Sequence, residues 1–543
     1  MVSVAVGACI LLYAGLNFAH VFDGFFHIPG NTIYLGISHW YEDYLYYVSQ
    51  VTQGMTGKNL VVNLYSPDAI PPSINWYFNL LLGKLLWFTN LAPWLIYDIA
   101  LFLFVCIFMV LIYRLNKTLF KNPTLILIAT VIAISNNPFY SITKDPTGTV
   151  SVTPYDFFFS PGPSLNRLGG IFTHALQNSL MVGVLLLWHT FTTRILNREY
   201  SAKKTLGTGV VLSLLLVSLF INNAYSAMIL MGSLGIATAI LTLRSKNKQT
   251  VLHTLIALLV VYLPVLVPFI MQLQTFSHPF FRYTIDWEKN MGHTDPKSFL
   301  LAMGLMGIFA PIGLVPFAKK YSSPIRMGIL SYCAISVGLY FSPIPPLIGA
   351  MYTRIPTPLL WVCFASLAGL GLWTISMLIT KILPGKLRPF VLPILASLYI
   401  GIQIPPLYHE VSTRISDARG WWYVNYIDKN LSNGLAAVKS KPSLSLGIAP
   451  LPTALLVPVM TGKTVFVAHR TLSTQVPERT AQVDSFYRLN MDPSEAKQFL
   501  TGNKIDFVVS HGPQEPKPIM MEAYPFLTPL FNSPTATIFT IKQ

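Results

Sequence analysis

Eleven apolar runs punctuate residues 1–407, near 2–19, 93–113, 121–136, 171–193, 205–221, 224–243, 251–272, 298–317, 326–342, 357–380 and 388–407. Most approach the ~20 residues a helix needs to cross a hydrocarbon layer about 30 Å thick. A twelfth run, 76–88, is short and carries Lys84, so it reads as an interfacial or re-entrant helix. Beyond residue 407 the pattern changes. Residues 418–432 look helical with one aromatic face, 443–449 and 463–469 alternate like strands, 494–500 is helical, and 505–510 and 535–541 are further strands. Strands alternating with helices predict a small, mostly parallel sheet. The pattern therefore gives an α-helical polytopic membrane part, 1–407, and an α/β domain, 408–543.

Composition sharpens the contrast. The mean hydropathy is +0.54 and only 11% of residues are charged, against about 25% in a soluble domain. Residues 1–407 hold 11 acids and residues 408–543, a third as many positions, hold 10. The net charge of +16 does not point to nucleic acid, because the excess lies in short loops between apolar runs. One alternating set of loops carries 16 basic residues, Arg114 to Arg388, against the single acid Glu199; the other set carries 8 basic residues and nearly all remaining acids of this part. By the positive-inside rule the first set is cytoplasmic. The N-terminus is then cytoplasmic, and the loops 20–92, 137–170 and 273–297 face outside with the C-terminal domain. Counting 76–88 as a span would flip every later loop. Cys9, Cys106, Cys333 and Cys363 all lie in apolar runs and report nothing on redox compartment. The first run lacks a basic start and a small-x-small site, and reads as a retained helix.

Candidate chemistry gathers in the first outer loop. Glu42 and Asp43 are adjacent there, among Trp40, Tyr41, Tyr44, Tyr46 and Tyr47, and Ser38 is placed to cap a helix that would carry both acids near its start. They are either functional or simply solvate a loop. Asp98 lies about five residues into the second run, where an isolated carboxylate is costly and should face protein or water. His20, His27 and His39 share the loop with the acids without metal-ligand spacing, and His469 ends an expected strand as a structural residue. There is no phosphate-binding glycine loop, nucleophile elbow or CxxC pair.

The stretch DYLYYVSQVTQGMTG (43–57), followed by Asn63-Leu64-Tyr65 and Leu82-Gly83-Lys84, resembles the first-loop region of bacterial GT-C-type membrane glycosyltransferases, relatives of the dolichyl-phosphate-mannose-dependent mannosyltransferases. LVPVMTGKTVFVAH (456–469), Asp484–Tyr487 and KIDFV (504–508) are similar to the terminal domain of such proteins. The resemblance covers most of the chain in layout. It implies a polyprenyl-phosphate-linked sugar as donor, a glycan, lipid or protein acceptor, inversion at the anomeric carbon, and a bacterial cytoplasmic (inner) membrane. It makes Asp43 the general base by its spacing to Tyr47 and Gln53-Gly54, with Glu42 as second candidate. It asks for a cation at the leaving phosphate, for which Arg354 in MYTRIP, Arg167 and Arg282 are placed outside; each could instead snorkel to lipid phosphates. His39 and Tyr47 join them as substrate contacts, and Trp40, Tyr41, Tyr44 and Tyr47 could wall a sugar ring or form a membrane belt. A divalent metal, Mg2+ or Mn2+, could bridge carboxylate and phosphate, although no spacing demands one. Two rival readings share these features: a transporter or flippase for lipid-linked glycans, and a non-catalytic glycan-binding relative.

Overall fold

The computed structural model describes residues 2–144, 148, 150–155, 161–196, 202–244, 248–290, 292, 294–319, 323–511 and 517–542. Glu199 and, of the sixteen basic loop residues, Arg198, Lys246 and Lys320 lie outside them. The chain is a mostly helical membrane protein with a small C-terminal sheet. Every one of the eleven apolar runs is helical among the described residues. Among the described residues, seven helices are long and apolar enough to cross a membrane: Pro93–Leu119, Phe172–Leu196, Lys204–Asn222, Ala224–Arg244, Ile256–Phe276, Pro358–Ile382 and Arg388–Gly420. Two bent pairs bring the number to nine, Val2–Asn17 with Ala19–Phe26 at 57° and Pro296–Ala302 with Leu305–Ala318 at 94°. The other two expected spans, Pro123–Ser135 and Pro324–Tyr340, are shorter apolar helices.

Three expectations change. The run at 298–317 is not one straight span: Gly304, at a φ of +56°, turns the chain between its two helices. The last run does not end near residue 407, since the helix Val391–Gly420 continues through Pro405 and Pro406 and beyond. No single helix covers 418–432. After Gly420 come a short turn of helix at Trp422–Asn425, a strand at Tyr426–Asp428 and the helix Lys429–Lys439, capped by the Asp428 carboxylate on the Asn430 amide.

The chain divides into two compact units, and not at residue 407. One comprises Met1–Ala19, Leu101–Ser277 and Phe281–Thr413; the other comprises His20–Ala100, His278–Phe280 and Arg414–Gln543. The first outer loop thus belongs with the C-terminal part.

In the first unit the helices carry polar cross-links inside. Asn116 donates to Thr130 (3.2 Å) and accepts from Ser366 (2.8 Å), and Gln177 donates to Ser226 (2.9 Å). Such bonds join helices where lipid offers no hydrophobic drive for association. Leu206, Val210, Val211 and Leu214, all on one helix, point outward and suit contact with lipid tails.

In the second unit five described strands form one sheet in the order Thr464–Val465, Leu446–Ile448, Phe507–His511, Ala536–Ile541, Leu527–Asn532. The first three run parallel and the last two antiparallel, so the sheet is mixed rather than mostly parallel. Phe486, Phe499, Tyr524 and Val508 fill the core on one face. A separate two-stranded ladder pairs Thr32–Tyr34 with Tyr426–Asp428, antiparallel.

Reporter fusions check the orientation, which we propose from the loop charges. Fusions after Thr250 and after Tyr408 are expected to report opposite compartments, and the same compartment for both would overturn the arrangement.

Candidate active site

The helix Tyr41–Met55 holds both first-loop acids in its first turn, where the partial positive charge of the helix N-terminus favours carboxylates. Ser38 does not cap it. The capping position is Trp40, with no side-chain cap bond, while the Ser38 carbonyl is bound by Nε2 of His20 at 2.9 Å. From Tyr44 to Gly54 every residue of this helix is buried, so it is a core element and not a surface loop.

Its neighbours explain that burial. Gly54 lies against the helix Tyr77–Leu86 so closely that a Cβ there would sit 1.9 Å from the Leu80 carbonyl oxygen, and a Cβ on Gly83 would sit 2.0 Å from that of Val51. The two helices therefore touch backbone to backbone. Asn79 donates to Gln50 across the contact (2.8 Å), and Gln53 clamps the Val62 peptide from both ends at 2.8 and 3.0 Å. On the other side Thr52 donates to the Val459 carbonyl at 2.6 Å, on the helix Thr453–Thr461.

The segment 464–479 then folds along residues 63–68. The Val465 amide donates to the Leu64 carbonyl (2.9 Å), Asn63 to the Leu472 carbonyl (2.7 Å) and Ser473 to the Tyr65 carbonyl. Arg479 makes a forked pair with Asp68 at 3.0 and 3.1 Å. Burial alone would raise the Asp68 carboxyl, but Arg479, Ser66 and Thr474 outweigh it and hold its pKa at about 2. A depressed carboxylate stabilises the fold above its unfolded value near pH 4, and the contribution is lost as pH falls through about 2. Asp68 is 39% exposed, so screening leaves roughly 1 kcal/mol or less. The protection of the amides in 464–479, taken relative to their intrinsic exchange rate at each pH, is expected to fall between pH 4 and 2 in wild type. In Asp68→Asn that protection should be lower at pH 7 and should not change further between pH 4 and 2; unchanged protection would contradict the clamp.

This folding brings His469 and Arg470 to the two acids. Nε of Arg470 lies 3.0 Å from Oε1 of Glu42, and Tyr41 donates to the same oxygen at 3.4 Å. Glu42 is 7% exposed and tied into this pair, whereas Asp43 is 47% exposed. Nε2 of His469 lies 3.6 Å from Oδ1 of Asp43. The Tyr41 phenol is pushed up to about 12, by burial first and then by Tyr423 and Glu42, so it stays a neutral donor. Trp40 and Tyr41 pack on Trp421, and Tyr41 also on Tyr423.

The other singled-out residues fall as follows. Tyr47 is buried against Tyr46, Trp76 and His39, and Tyr44 is fully enclosed, donating to the Leu35 carbonyl (2.8 Å) and to Asp98 (3.0 Å). Those two rings belong to the core; of the four expected to wall a sugar, Trp40 and Tyr41 reach the surface. Asp98 faces protein, and Gly36 allows it: φ is +69° and a Cβ would meet the Asp98 carboxylate at 2.6 Å. His39 is half-buried against Tyr44, Tyr47 and Tyr97.

The three arginines expected at the phosphate belong to the other compact unit. Arg167 is wholly buried and its guanidinium donates to the carbonyls of Ala133, Pro161, Gly162, Ile134 and Asn136. Five donors meet five acceptors, which makes it a tie for a turn rather than a phosphate ligand. Arg354 is paired with Glu288 at 2.8 Å, and Arg282 is exposed on the helix Pro279–Lys289. Sequence reasoning missed Arg470. The one signal for it was its place directly after His469, next to the stretch 456–469 that carries the family resemblance. Among the described residues no group of three or more His, Cys, Asp or Glu could hold a metal ion.

The fold has solved counterparts. The apo oligosaccharyltransferase of Archaeoglobus fulgidus superposes with a TM-score of 0.53 over 94% of this chain and 69% of its own, at 12% identity. ArnT from Cupriavidus metallidurans, solved bound to undecaprenyl phosphate, does so with a TM-score of 0.50 over 99% and 97%, at 11% identity. This chain has the GT-C fold. No family model matches the sequence. No curated protein matches it either. The GT-C likeness therefore rests on the path of the chain, with the first-loop acids presented by a helix that the C-terminal part encloses.

Proposed function

We propose that this GT-C chain is a membrane glycosyltransferase that moves a sugar from a polyprenyl-phosphate donor to a glycan, lipid or protein acceptor, with Asp43 as the general base. The observation that carries it is the asymmetry of the two acids. Glu42 is buried and neutralised by Arg470; Asp43, one residue on, is half exposed at a helix N-terminus. A base must be ionised and within reach of its substrate, and Asp43 alone of the pair meets both demands.

In the transfer, Asp43 removes the proton from the acceptor hydroxyl as its oxygen attacks the anomeric carbon. The carbon–oxygen bond to phosphate breaks on the opposite face, its electron pair leaves with the polyprenyl phosphate, and the anomeric centre inverts. Arg470, exposed and paired with Glu42, is the cation of this part nearest the two acids and the candidate to meet the departing phosphate. Arg354 and Arg282 remain candidates on the membrane part; Arg167, its donors occupied, does not. Among the described residues no cluster of three or more His, Cys, Asp or Glu side chains could hold a metal ion, and no step is routed through one.

The loop charges and the apolar helices support a multi-pass protein of a cytoplasmic membrane with this site outside. The test is turnover: purified protein is incubated with a panel of polyprenyl-phosphate sugars and candidate acceptors, and free polyprenyl phosphate and the product's anomeric configuration are measured. Release of polyprenyl phosphate with an inverted product is expected. Glycan binding without release would instead favour a non-catalytic relative.

A further inference from the structure

The C-terminal part brings a second polar group to Asp43 besides the arginine that neutralises its neighbour. His469 is 3% exposed, with its ring among those of Tyr46 and Tyr65 at centroid distances of 6.0 and 5.8 Å. Its Nδ1 accepts the amide of Thr471 at 3.2 Å. A ring nitrogen that accepts carries no proton, so the neutral ring bears its proton on Nε2. That Nε2 is buried and makes no hydrogen bond among the described residues, yet it lies 3.6 Å from Oδ1 of Asp43. The gap is too long for a hydrogen bond. A buried N–H without an acceptor is costly, and catalytic contacts often tighten only when substrate is bound. A half-exposed aspartate can turn by the few tenths of an ångström required.

The loop is built to hold this ring still. The amides of Ala468 and His469 both donate to the Ser473 hydroxyl, which in turn donates to the Tyr65 carbonyl. Among the described residues, Glu42 is paired with Arg470 and Asp68 with Arg479, and the rings of Tyr46 and Tyr65 beside His469 are phenols.

We propose that His469 is a positioning residue for Asp43: its Nε2–H engages Oδ1, orients the carboxylate and leaves Oδ2 to take the acceptor's proton. This rests on the reading of Asp43 as the base. The histidine keeps its own proton throughout, so the balance of the transfer is unchanged. The first-loop acid is then completed by a residue more than 400 positions later in the chain.

The test uses full-length protein and two variants without the donor, His469→Phe and His469→Met, beside His469→Gln, whose amide restores an N–H. Rate and donor KM are measured across pH. Either donor-less variant that melts within a few degrees of wild type is expected to lose roughly 10–100-fold in kcat with little change in KM. Its acid limb should move up by about one pH unit, because the carboxylate loses a partner that favours its charged form. His469→Gln should recover most of the rate and return the limb. A wild-type rate, or a rate loss with an unmoved limb that Gln does not repair, overturns the proposal. So does failure of both donor-less variants to fold, which makes His469 a packing residue. The Asp43→Asn variant separates the two ideas. If it transfers sugar normally, the base assignment fails; if it is inactive while the His469 limb stays put, only the positioning role fails.

Discussion

Asp43→Asn is expected to lower sugar transfer by about 10²–10⁴-fold while the protein still inserts, purifies and melts like wild type. The amide keeps the shape of the carboxylate and removes the lone pair that takes the acceptor's proton. The side chain is half exposed, so the exchange should disturb packing little. The matching change at Glu42 separates the roles. Glu42→Gln leaves Arg470 without its counter-charge, and should lower transfer less than Asp43→Asn while weakening the hold on the loop around 470. Equal collapse in both would mean that the two carboxylates share the work. Near-wild-type transfer by Asp43→Asn would remove the base from the mechanism. Transfer is read from release of polyprenyl phosphate, and folding from the melting of the detergent-solubilised protein.

Gly83→Val should abolish folding of the second compact unit altogether. A Cβ at this position would lie 2.0 Å from a carbonyl oxygen on the facing helix, and 2.9 Å from the Met55 amide nitrogen. Overpacking a core commonly costs about 1–3 kcal/mol when side chains can shift. Here the obstacle is backbone, so one helix must move away, and Gln50, Gln53 and Asn79 would lose the bonds that cross or brace the contact. Gly54→Val should do the same from the other helix. Polydisperse or degraded protein is the expected outcome for each. A monodisperse variant melting near the wild-type temperature would show that the helices do not meet this way. Gly57, with open space around the position of its Cβ but a φ of +86°, is the contrast: Gly57→Ala should be strained yet far milder.

The membrane part was legible because its signal is local. Each span announces itself by a run of apolar residues, and all eleven runs are helical among the described residues, the one at 298–317 broken into two helices. Bends were not legible, since a single glycine such as Gly304 leaves the average apolarity of a run unchanged. In the C-terminal part the strands at 446–448, 507–511 and 536–541 stand where alternation placed them. The helix Thr453–Thr461 was missed, because its Pro458 and near-continuous apolarity hide a helical period. The acids at 42 and 43 could be found from their neighbours in sequence. Their partners at 469 and 470 could not, because nothing in either stretch records that the first outer loop is enclosed by the end of the chain. For the same reason Gln53-Gly54, Asn63-Leu64-Tyr65 and Leu82-Gly83 could be seen as motifs but not understood. Each is a packing contact within the second compact unit.

The ladder between Thr32–Tyr34 and Tyr426–Asp428 sets a clock on biosynthesis. Ribosomes add roughly 5–20 residues per second, so the strand Thr32–Tyr34 is made some 20–80 s before its partner strand exists. During that interval the helix Tyr41–Met55, destined for near-complete burial, has water or a chaperone on faces that later meet residues 453–475. A chain truncated before residue 426 would carry all the candidate spans found among the described residues and still lack the strand that pairs with Thr32–Tyr34.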